Sequence, residues 1–179
     1  MLDNQLISLI ISTLIAGEAA AGISGTPIKQ AFQPTQQGVN SAPTAYLHKI
    51  ADRRLGFVKR KDVWDAEAEI MEHSETQQYE TLFQLSALAR QDPSVIDGYT
   101  ASDILNLMAY ILQSSVAVST LEAHDVGIYR IGDVRNPYFA DDKQRNEASP
   151  TLDFTVTHKQ VIINQTPIIS RIIIQVLTV

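Results

Sequence analysis

The fold is decided by one alternating stretch in the middle of the chain, Tyr79-Glu80-Thr81-Leu82-Phe83-Gln84-Leu85-Ser86-Ala87. Most of its odd positions are apolar, and its even positions include Glu80, Gln84 and Ser86. Alternation with a period of two predicts a strand in a sheet that buries one face. The polar residues 71–78 are predicted to continue this strand beyond the core. A strand of that length indicates a segment that reaches out of its own domain.

Helices are predicted at three places along the chain. Apolar residues recur with helical spacing over residues 3–21, and Gly22 follows as a termination signal. The wide apolar stripe of this helix implies burial against a sheet or a neighbouring subunit. A second helix is predicted after the capping residue Thr100, with apolar residues as far as Leu112. Ser115 is predicted to cap a short third helix.

The remaining strands are predicted at residues 27–32, 44–50, 126–135, 151–163 and 168–178. Strands and helices are grouped and do not alternate strictly, which favours the α+β class. We therefore expect a mostly antiparallel β-sheet packed by an N-terminal helix and a central helix pair, with a long projecting β-hairpin. The chain is predicted to form a single domain, residues 1–179, with the hairpin arm at about 47–80.

Composition excludes several classes of function. The chain has 179 residues, a formal net charge of −6 and no cysteine. Disulfides and thiol nucleophiles are therefore absent, and an acidic balance argues against free duplex DNA as the main ligand. The N-terminus lacks the basic region of a signal peptide, and the apolar residues 168–177 are too few to span a bilayer. We expect a soluble protein.

Candidate catalytic and metal-binding groups are few. The four histidines are far apart in sequence, and none has metal-ligand spacing. Asp141 and Asp142, with Glu147 nearby, are a candidate for a divalent ion or for acid–base chemistry. A solvated loop is the favoured interpretation, because adjacent carboxylates need convergent partners before they can catalyse a reaction. The sequence predicts neither enzymatic activity nor a cofactor.

Charge is distributed in two adjoining runs. Residues 49–61 are basic, residues 62–80 are acidic, and Trp64 lies at their junction. We expect the basic run in a loop or at a hairpin tip. The candidate interface residues are Lys49, Arg53, Arg54, Lys59, Arg60, Lys61, Trp64, Glu67, Glu69, Glu72 and Glu75.

Three interpretations of these runs remain open. In the first, the charges pair locally across a hairpin. In the second, the basic run docks on the acidic run of a neighbouring copy, as complementary patches do in a head-to-tail ring. In the third, residues 49–61 contact phosphates, and Phe57 and Trp64 provide stacking platforms. Trp64 either fills the core or anchors an interface.

Several strings in order carry a family resemblance. They are Phe32-Gln33-Pro34-Thr35-Gln36-Gln37-Gly38, His48-Lys49-Ile50-Ala51-Asp52-Arg53-Arg54, Asp62-Val63-Trp64, Glu75-Thr76-Gln77-Gln78-Tyr79-Glu80-Thr81, Thr100-Ala101-Ser102-Asp103, Asp133-Val134-Arg135-Asn136-Pro137-Tyr138-Phe139 and Ser149-Pro150-Thr151-Leu152-Asp153-Phe154. In this order the chain resembles the neck terminator, or gateway, proteins of tailed bacteriophages, from about residue 1 to 165. None of the strings is a catalytic signature.

The resemblance implies a structural protein of the virion at the head–tail junction. Such proteins form a ring, commonly of six copies, between the connector and the tail tube, with the DNA path through the centre. The implied partners are further copies of the chain, a connector or collar protein, and the tail tube or tail terminator, with the sheath as a further candidate. DNA is expected to pass without sequence-specific binding, no membrane is involved, and assembly is expected in the host bacterial cytoplasm.

Two functions from other classes are alternatives. One is a nucleic-acid-binding module that uses residues 49–61, for which binding is expected to weaken steeply with salt. The other is a hydrolase or metal enzyme centred on Asp141 and Asp142. The role of the isoleucine-rich C-terminal segment is open for all three of these functions, the neck protein and its two alternatives.

Overall fold

The computed structural model describes residues 1–23, 25–31, 43–89, 98–140, 146–148 and 150–167. Within these ranges the helices are α1 (Asp3–Ala20), α2 (Ala101–Gln113) and α3 (Ser115–Glu122). The strands are β1 (Ile28–Gln30), β2 (Thr44–Asp65), β3 (Ile70–Leu88), β4 (Gly127–Arg135), β5 (Tyr138–Ala140), β6 (Asn146–Ala148) and β7 (Thr151–Pro167).

The main sheet has the strand order β1-β2-β3-β7-β4. Among the described strands of this sheet, only β1 pairs in parallel, with residues 45–47 of β2, and the other three pairings are antiparallel. The predicted α+β class is confirmed, as are the N-terminal helix and the central helix pair, although the parallel β1 makes the sheet mixed. Strands β5 and β6, where the sequence predicted no strand, pair with each other as a separate two-stranded sheet.

The three helices bury one face of the sheet. Alternate residues of β3, from Thr81 to Ala87, are buried, and Phe83 stacks on Phe154 of β7 with ring centroids 5.5 Å apart. Leu6, Ile10 and Leu14 of α1 and Leu105 and Met108 of α2 complete this core. The period-two pattern of residues 79–87 therefore marks the central strand of the core.

Helix α1 and helix α2 approach closely at one glycine. A Cβ atom added to Gly17 would lie 2.2 Å from Cγ2 of Ile111 and 3.2 Å from its Cβ. Such a separation is far inside van der Waals contact, so the absence of a side chain at Gly17 sets the distance between the two helices.

The helix caps observed in the structure agree in most respects with those predicted from the sequence. Thr100 Oγ1 accepts a hydrogen bond from the Asp103 amide at 3.2 Å, and Asp103 Oδ2 accepts one from the Thr100 amide at 3.0 Å, so the predicted cap is confirmed. The cap of α3 is Ser114 and not Ser115, because Ser114 Oγ accepts from the Ala117 amide at 3.2 Å.

The largest error concerns the basic run. Residues 49–61 do not form a loop or a hairpin tip, because β2 continues through them to Asp65 and pairs with β3 as far as Ile70. The turn between the two strands is residues 66–69, in the acidic run. The strand predicted at residues 44–50 was therefore too short. Residues 141–145 and the strand predicted at 168–178 lie outside the described residues.

No single helix among the described residues is long and apolar enough to cross a membrane. Helices α2 and α3 meet that criterion only when taken together, and they are bent by 59° relative to each other.

Candidate subunit interface

Three strands extend beyond the part of the sheet that the helices bury. We define the arm as residues 50–80 of β2, β3 and their turn, together with residues 159–167 of β7. Strand β3 pairs with β7 without interruption from Ile70 to Ser86. Strand β2 pairs with β3 less regularly, with register shifts between Lys49 and Ala51 and between Leu55 and Lys59. Gly56 lies in the second shift with a φ of 63°, a conformation that glycine adopts without strain.

The arm has two faces with different compositions. Because side chains alternate along a strand, the residues of β3 in phase with buried Thr81 lie on the same side as the helices, and we call this the helix-side face. It includes Arg60, Glu75 and His73. The opposite side, which we call the open face, includes Lys59, Lys61 and Lys159, as the register of the three strands requires.

Some of the predicted basic residues are paired within the chain. Arg60 Nε donates to Glu75 Oε1 at 3.0 Å, and Arg53 Nη1 lies 3.8 Å from Glu80 Oε2. The first interpretation, local pairing across a hairpin, therefore accounts for these two arginines. Both are largely exposed, so each pair contributes little to stability.

The other basic residues divide into two groups. Lys49 is mostly buried at the base of the arm, where its Nζ atom contacts Asp3 Oδ2 at 2.7 Å and Asp52 Oδ2 at 2.5 Å. Arg54, Lys59 and Lys61 form no ion pair with any residue in the described part of the chain. Local pairing thus leaves three of the predicted cations available.

The acidic residues and Trp64 lie near the tip of the arm. Glu67 and Glu69 are exposed in the turn, and Glu72 is opposite Val63 in the register. Trp64 is opposite Met71 and is 42% exposed, so it does not fill the core. Of the two interpretations of Trp64, the structure excludes the core position.

A groove of about 480 Å³ crosses the open face of the arm. Lys59, Lys61 and Lys159 line it together with Leu55, Val161 and the fully exposed Phe57. Lys159 also donates to Asp125 Oδ1 at 2.7 Å. The groove therefore combines cations with apolar surface and has no acidic side chain in its lining.

Exposed apolar side chains are concentrated on the arm. Ile162 and Ile163 are 53% and 54% exposed. The others on the arm are Ile50, Phe57, Val58, Val63, Trp64 and Val161. A concentration of exposed apolar side chains on one segment of a folded protein is typical of an interaction site.

A chain of polar contacts fixes the base of the arm. Thr81 Oγ1 donates to Asp52 Oδ1 at 2.7 Å and lies 2.9 Å from His158 Nε2, and Asp52 in turn contacts Lys49. Thr81 and His158 are buried, and His158 stacks on Tyr79 with centroids 5.6 Å apart. We call Asp3, Lys49, Asp52, Thr81 and His158 the basal network.

Burial and pairing shift the pKa values in the basal network. Burial acts to raise the pKa of Asp52, but hydrogen bonds from Lys49 and Thr81 outweigh it and lower that pKa below its usual value. Burial acts to lower the pKa of Lys49, but its contacts with Asp3 and Asp52 outweigh it and raise that pKa. Burial and the nearby N-terminal ammonium both lower the pKa of His158. The favoured charge state is thus Lys49 and Asp52 ionised and His158 neutral.

Sequence reasoning missed the basal network. Its members lie at positions 3, 49, 52, 81 and 158, and no local motif joins residues so far apart. The one signal in the sequence is Thr81, a polar residue at a buried position of the alternating stretch.

Metal binding has no support within the described ranges, where no group of three or more His, Asp or Glu residues could hold an ion. Asp141 and Asp142 lie outside the described residues, as does the side chain of Glu147.

The fold and the arm together define an α+β protein. Its most distinctive surface is an extended, partly apolar strand arm and not a pocket with convergent polar groups. The chain belongs to the family described as E217 gateway protein gp29, which matches residues 5–168. This is a family of phage neck proteins, so the resemblance predicted from the sequence strings is confirmed. Its members are structural components of the virion.

The chain is also similar to a solved structure, the sheath/tube terminator of an extracellular contractile injection system, PVC, in the extended state. The two share 10% sequence identity with a TM-score of 0.49. The similarity covers 97% of this chain and 64% of the terminator chain. No match was found among curated proteins.

Proposed function

We propose that the chain is a ring-forming subunit of the neck of a tailed phage, located between the connector and the tail tube, with the DNA path through the centre of the ring. The observation that carries the proposal is the family match over residues 5–168. The ring has six copies, is assembled in the host bacterial cytoplasm, and has neither a cofactor nor an enzymatic activity. The chain acts as one domain, 1–179, from which the arm projects.

The arm supports a role in assembly. A segment with Phe57, Ile162 and Ile163 exposed gains stability when a neighbour covers it. Because Lys49, Arg53 and Arg60 are engaged within the chain, we assign the intermolecular role to Arg54, Lys59, Lys61 and Trp64, with Glu67, Glu69 and Glu72 as the acidic counterpart.

The net charge supports the proposed passage of DNA. At −6 per copy, a ring repels a phosphate backbone on average, which favours passage over sequence-specific binding. The proposed protein partners are a connector or collar protein on one side and the tail tube or tail terminator on the other, with the sheath as a further candidate.

Measuring the mass of the purified chain in solution and imaging purified virions test the proposal together. We expect a discrete assembly of several copies and a ring of this chain at the head–tail junction. A chain that is strictly monomeric at high concentration and absent from the junction would contradict the proposal.

The second candidate function, binding of nucleic acid by residues 49–61, has one observation in its favour. The groove on the open face combines Lys59, Lys61 and Lys159 with exposed Phe57, the pairing of cations and an aromatic side chain that single-strand binders use. Binding to a fluorescent single-stranded oligonucleotide should then weaken with salt and with Lys59→Ser and Lys61→Ser, whereas Lys29→Ser, at the exposed position of β1, should have no effect. Absence of binding at low ionic strength would remove this candidate.

A further inference from the structure

The arm has two open edges. The neighbour of β2 on its outer side is β1, which pairs only with residues 45–47. The neighbour of β7 on its outer side is β4, which pairs only with residues 151–157. Within the described structure, the backbone of residues 51–65 on one side and of residues 158–167 on the other has no strand partner. Unpaired edges of this length are avoided in monomeric proteins, because they form hydrogen bonds with other chains.

These two edges match in direction and length. Both β2 and β7 are antiparallel to β3, so both run from the base of the arm to its tip. Asp65 and Pro167 are both level with Ile70, and Lys59 and Val161 are both level with Thr76. Residues 59–65 and 161–167 are therefore equivalent stretches on opposite sides of the arm.

The two edges differ in charge. Residues 59–65 carry five charged side chains, Lys59, Arg60, Lys61, Asp62 and Asp65, whereas residues 161–167 are uncharged. Charged side chains on an exposed edge oppose its pairing with a copy of itself. The β7 edge has no such protection, and it exposes Val161, Ile162 and Ile163.

We propose that residues 59–65 of one copy pair in parallel with residues 161–167 of the next copy, so that neighbouring arms form one continuous sheet. The inference rests on the proposed ring and names the surfaces that form it. The occupant is a second copy because one contact of this kind covers both open edges and repeats from copy to copy.

The side chains of the two edges are compatible with this parallel pairing. On the open face, pairing at equal levels sets Lys59 beside Val161 and Lys61 beside Ile163 of the neighbour. The methylene stems of the two lysines then cover the aliphatic side chains. The parallel contact places no like charges opposite each other. A contact between two β7 edges would run antiparallel and leave both β2 edges open.

Disulfide trapping tests the contact, because the chain has no cysteine of its own. Two variants are made, Lys61→Cys and Ile163→Cys. Within one copy these positions flank β3 about 9–10 Å apart, beyond the limit of about 7 Å between Cα atoms for a disulfide. A bond between them must therefore join two copies.

Under mild oxidation, a mixture of the two variants should give a dimer on a non-reducing gel at a yield at least about tenfold above either variant alone. The matched control mixes Ile163→Cys with Val116→Cys, whose parent side chain is 74% exposed on α3, and should give only background. Cysteines at 59, 61 and 63 are also combined one by one with cysteines at 161, 163 and 165. Dimers should form only for the pairs that share a single register, which identifies that register.

The outcomes separate this inference from the proposed function. Rings of the expected mass with no dimer in any combination would overturn the edge contact and leave the ring intact. Strong dimer formation by Ile163→Cys alone would also overturn it, in favour of a two-fold contact between β7 edges. If no variant and no parent chain assembles, both the ring and the edge contact fail.

Discussion

Thr81 of β3 links this strand to both of its neighbours at the base of the arm, to β2 through a hydrogen bond with Asp52 and to β7 through one with His158. Thr81→Val keeps the shape of the side chain and removes both bonds, leaving a buried ring nitrogen unsatisfied. We expect the free energy of unfolding to fall by about 1–3 kcal/mol, measured by urea denaturation.

The matched control is Thr76→Val, the same change on the open face of the same strand. It should alter the free energy of unfolding by less than about 0.5 kcal/mol. Equal effects at the two positions would show that the basal network contributes nothing specific.

His158 should make the folded protein sensitive to mild acid. Burial lowers its pKa in the folded state from the usual 6.5, so the unfolded chain binds the proton more readily. Its contribution to stability is complete above about pH 6.5 and is lost as the pH falls through the folded-state pKa. The protonated ring would also place a donor at Nδ1, a buried atom that has no hydrogen-bond partner among the described residues.

Urea unfolding midpoints between about pH 5 and about pH 7.5 test this expectation. The parent chain should lose stability on acidification through this window, and His158→Gln should flatten the dependence. Replacing the exposed His124 by Gln should leave the dependence unchanged. A slope that survives His158→Gln would assign it to another group.

Gly17 determines how closely α1 and α2 pack. An alanine normally favours a helix over glycine by about 0.5–1 kcal/mol. Here its Cβ would overlap Ile111, so we expect Gly17→Ala to destabilise the protein by about 1–3 kcal/mol. Thermal or urea unfolding measures the change.

The control is the same substitution in the background of Ile111→Ala, which removes the atom that clashes. In that background Gly17→Ala should be neutral or stabilising, and the two changes should show favourable coupling. Additive effects would mean that the contact at Gly17 does not set the helix distance.

Elements with one buried face were predictable from the sequence, whereas the course of the arm was predicted only in part. Alternation at Phe83, Leu85 and Ala87 identified β3, and capping at Thr100 identified α2. Residues 51–65 of β2 are exposed on both faces, so they lose the period-two pattern, and the charges and Gly56 were interpreted as a loop. The charged residues of the two runs could be listed from the sequence as interface candidates, but which of them pair within the chain depends on a strand register that composition does not contain.

At the scale of the whole molecule, the arm separates folding from assembly. The helices and the sheet that they bury form the core, and the arm adds exposed strands that contribute little to that core. A substitution on the arm should therefore change association without changing the fold.

Ile163→Lys tests this separation. Its side chain is half exposed, so the variant should fold with a thermal midpoint within a few degrees of the parent. In the proposed contact the new ammonium group would lie beside Lys61 of the neighbouring copy, and like charges directly opposite each other weaken strand pairing. We expect the mass distribution in solution to shift from rings to single chains by about tenfold or more.

Two matched variants make the result specific. Ile163→Val retains an apolar, β-branched side chain and should assemble like the parent. Adding Lys61→Glu to Ile163→Lys places opposite charges across the contact and should restore assembly, which loss of folding would not allow. Full assembly of Ile163→Lys alone would show that subunits meet elsewhere than at this edge. In the proposed contact the new ammonium group lies beside Lys61 of the neighbouring copy, and the two positive charges would repel each other.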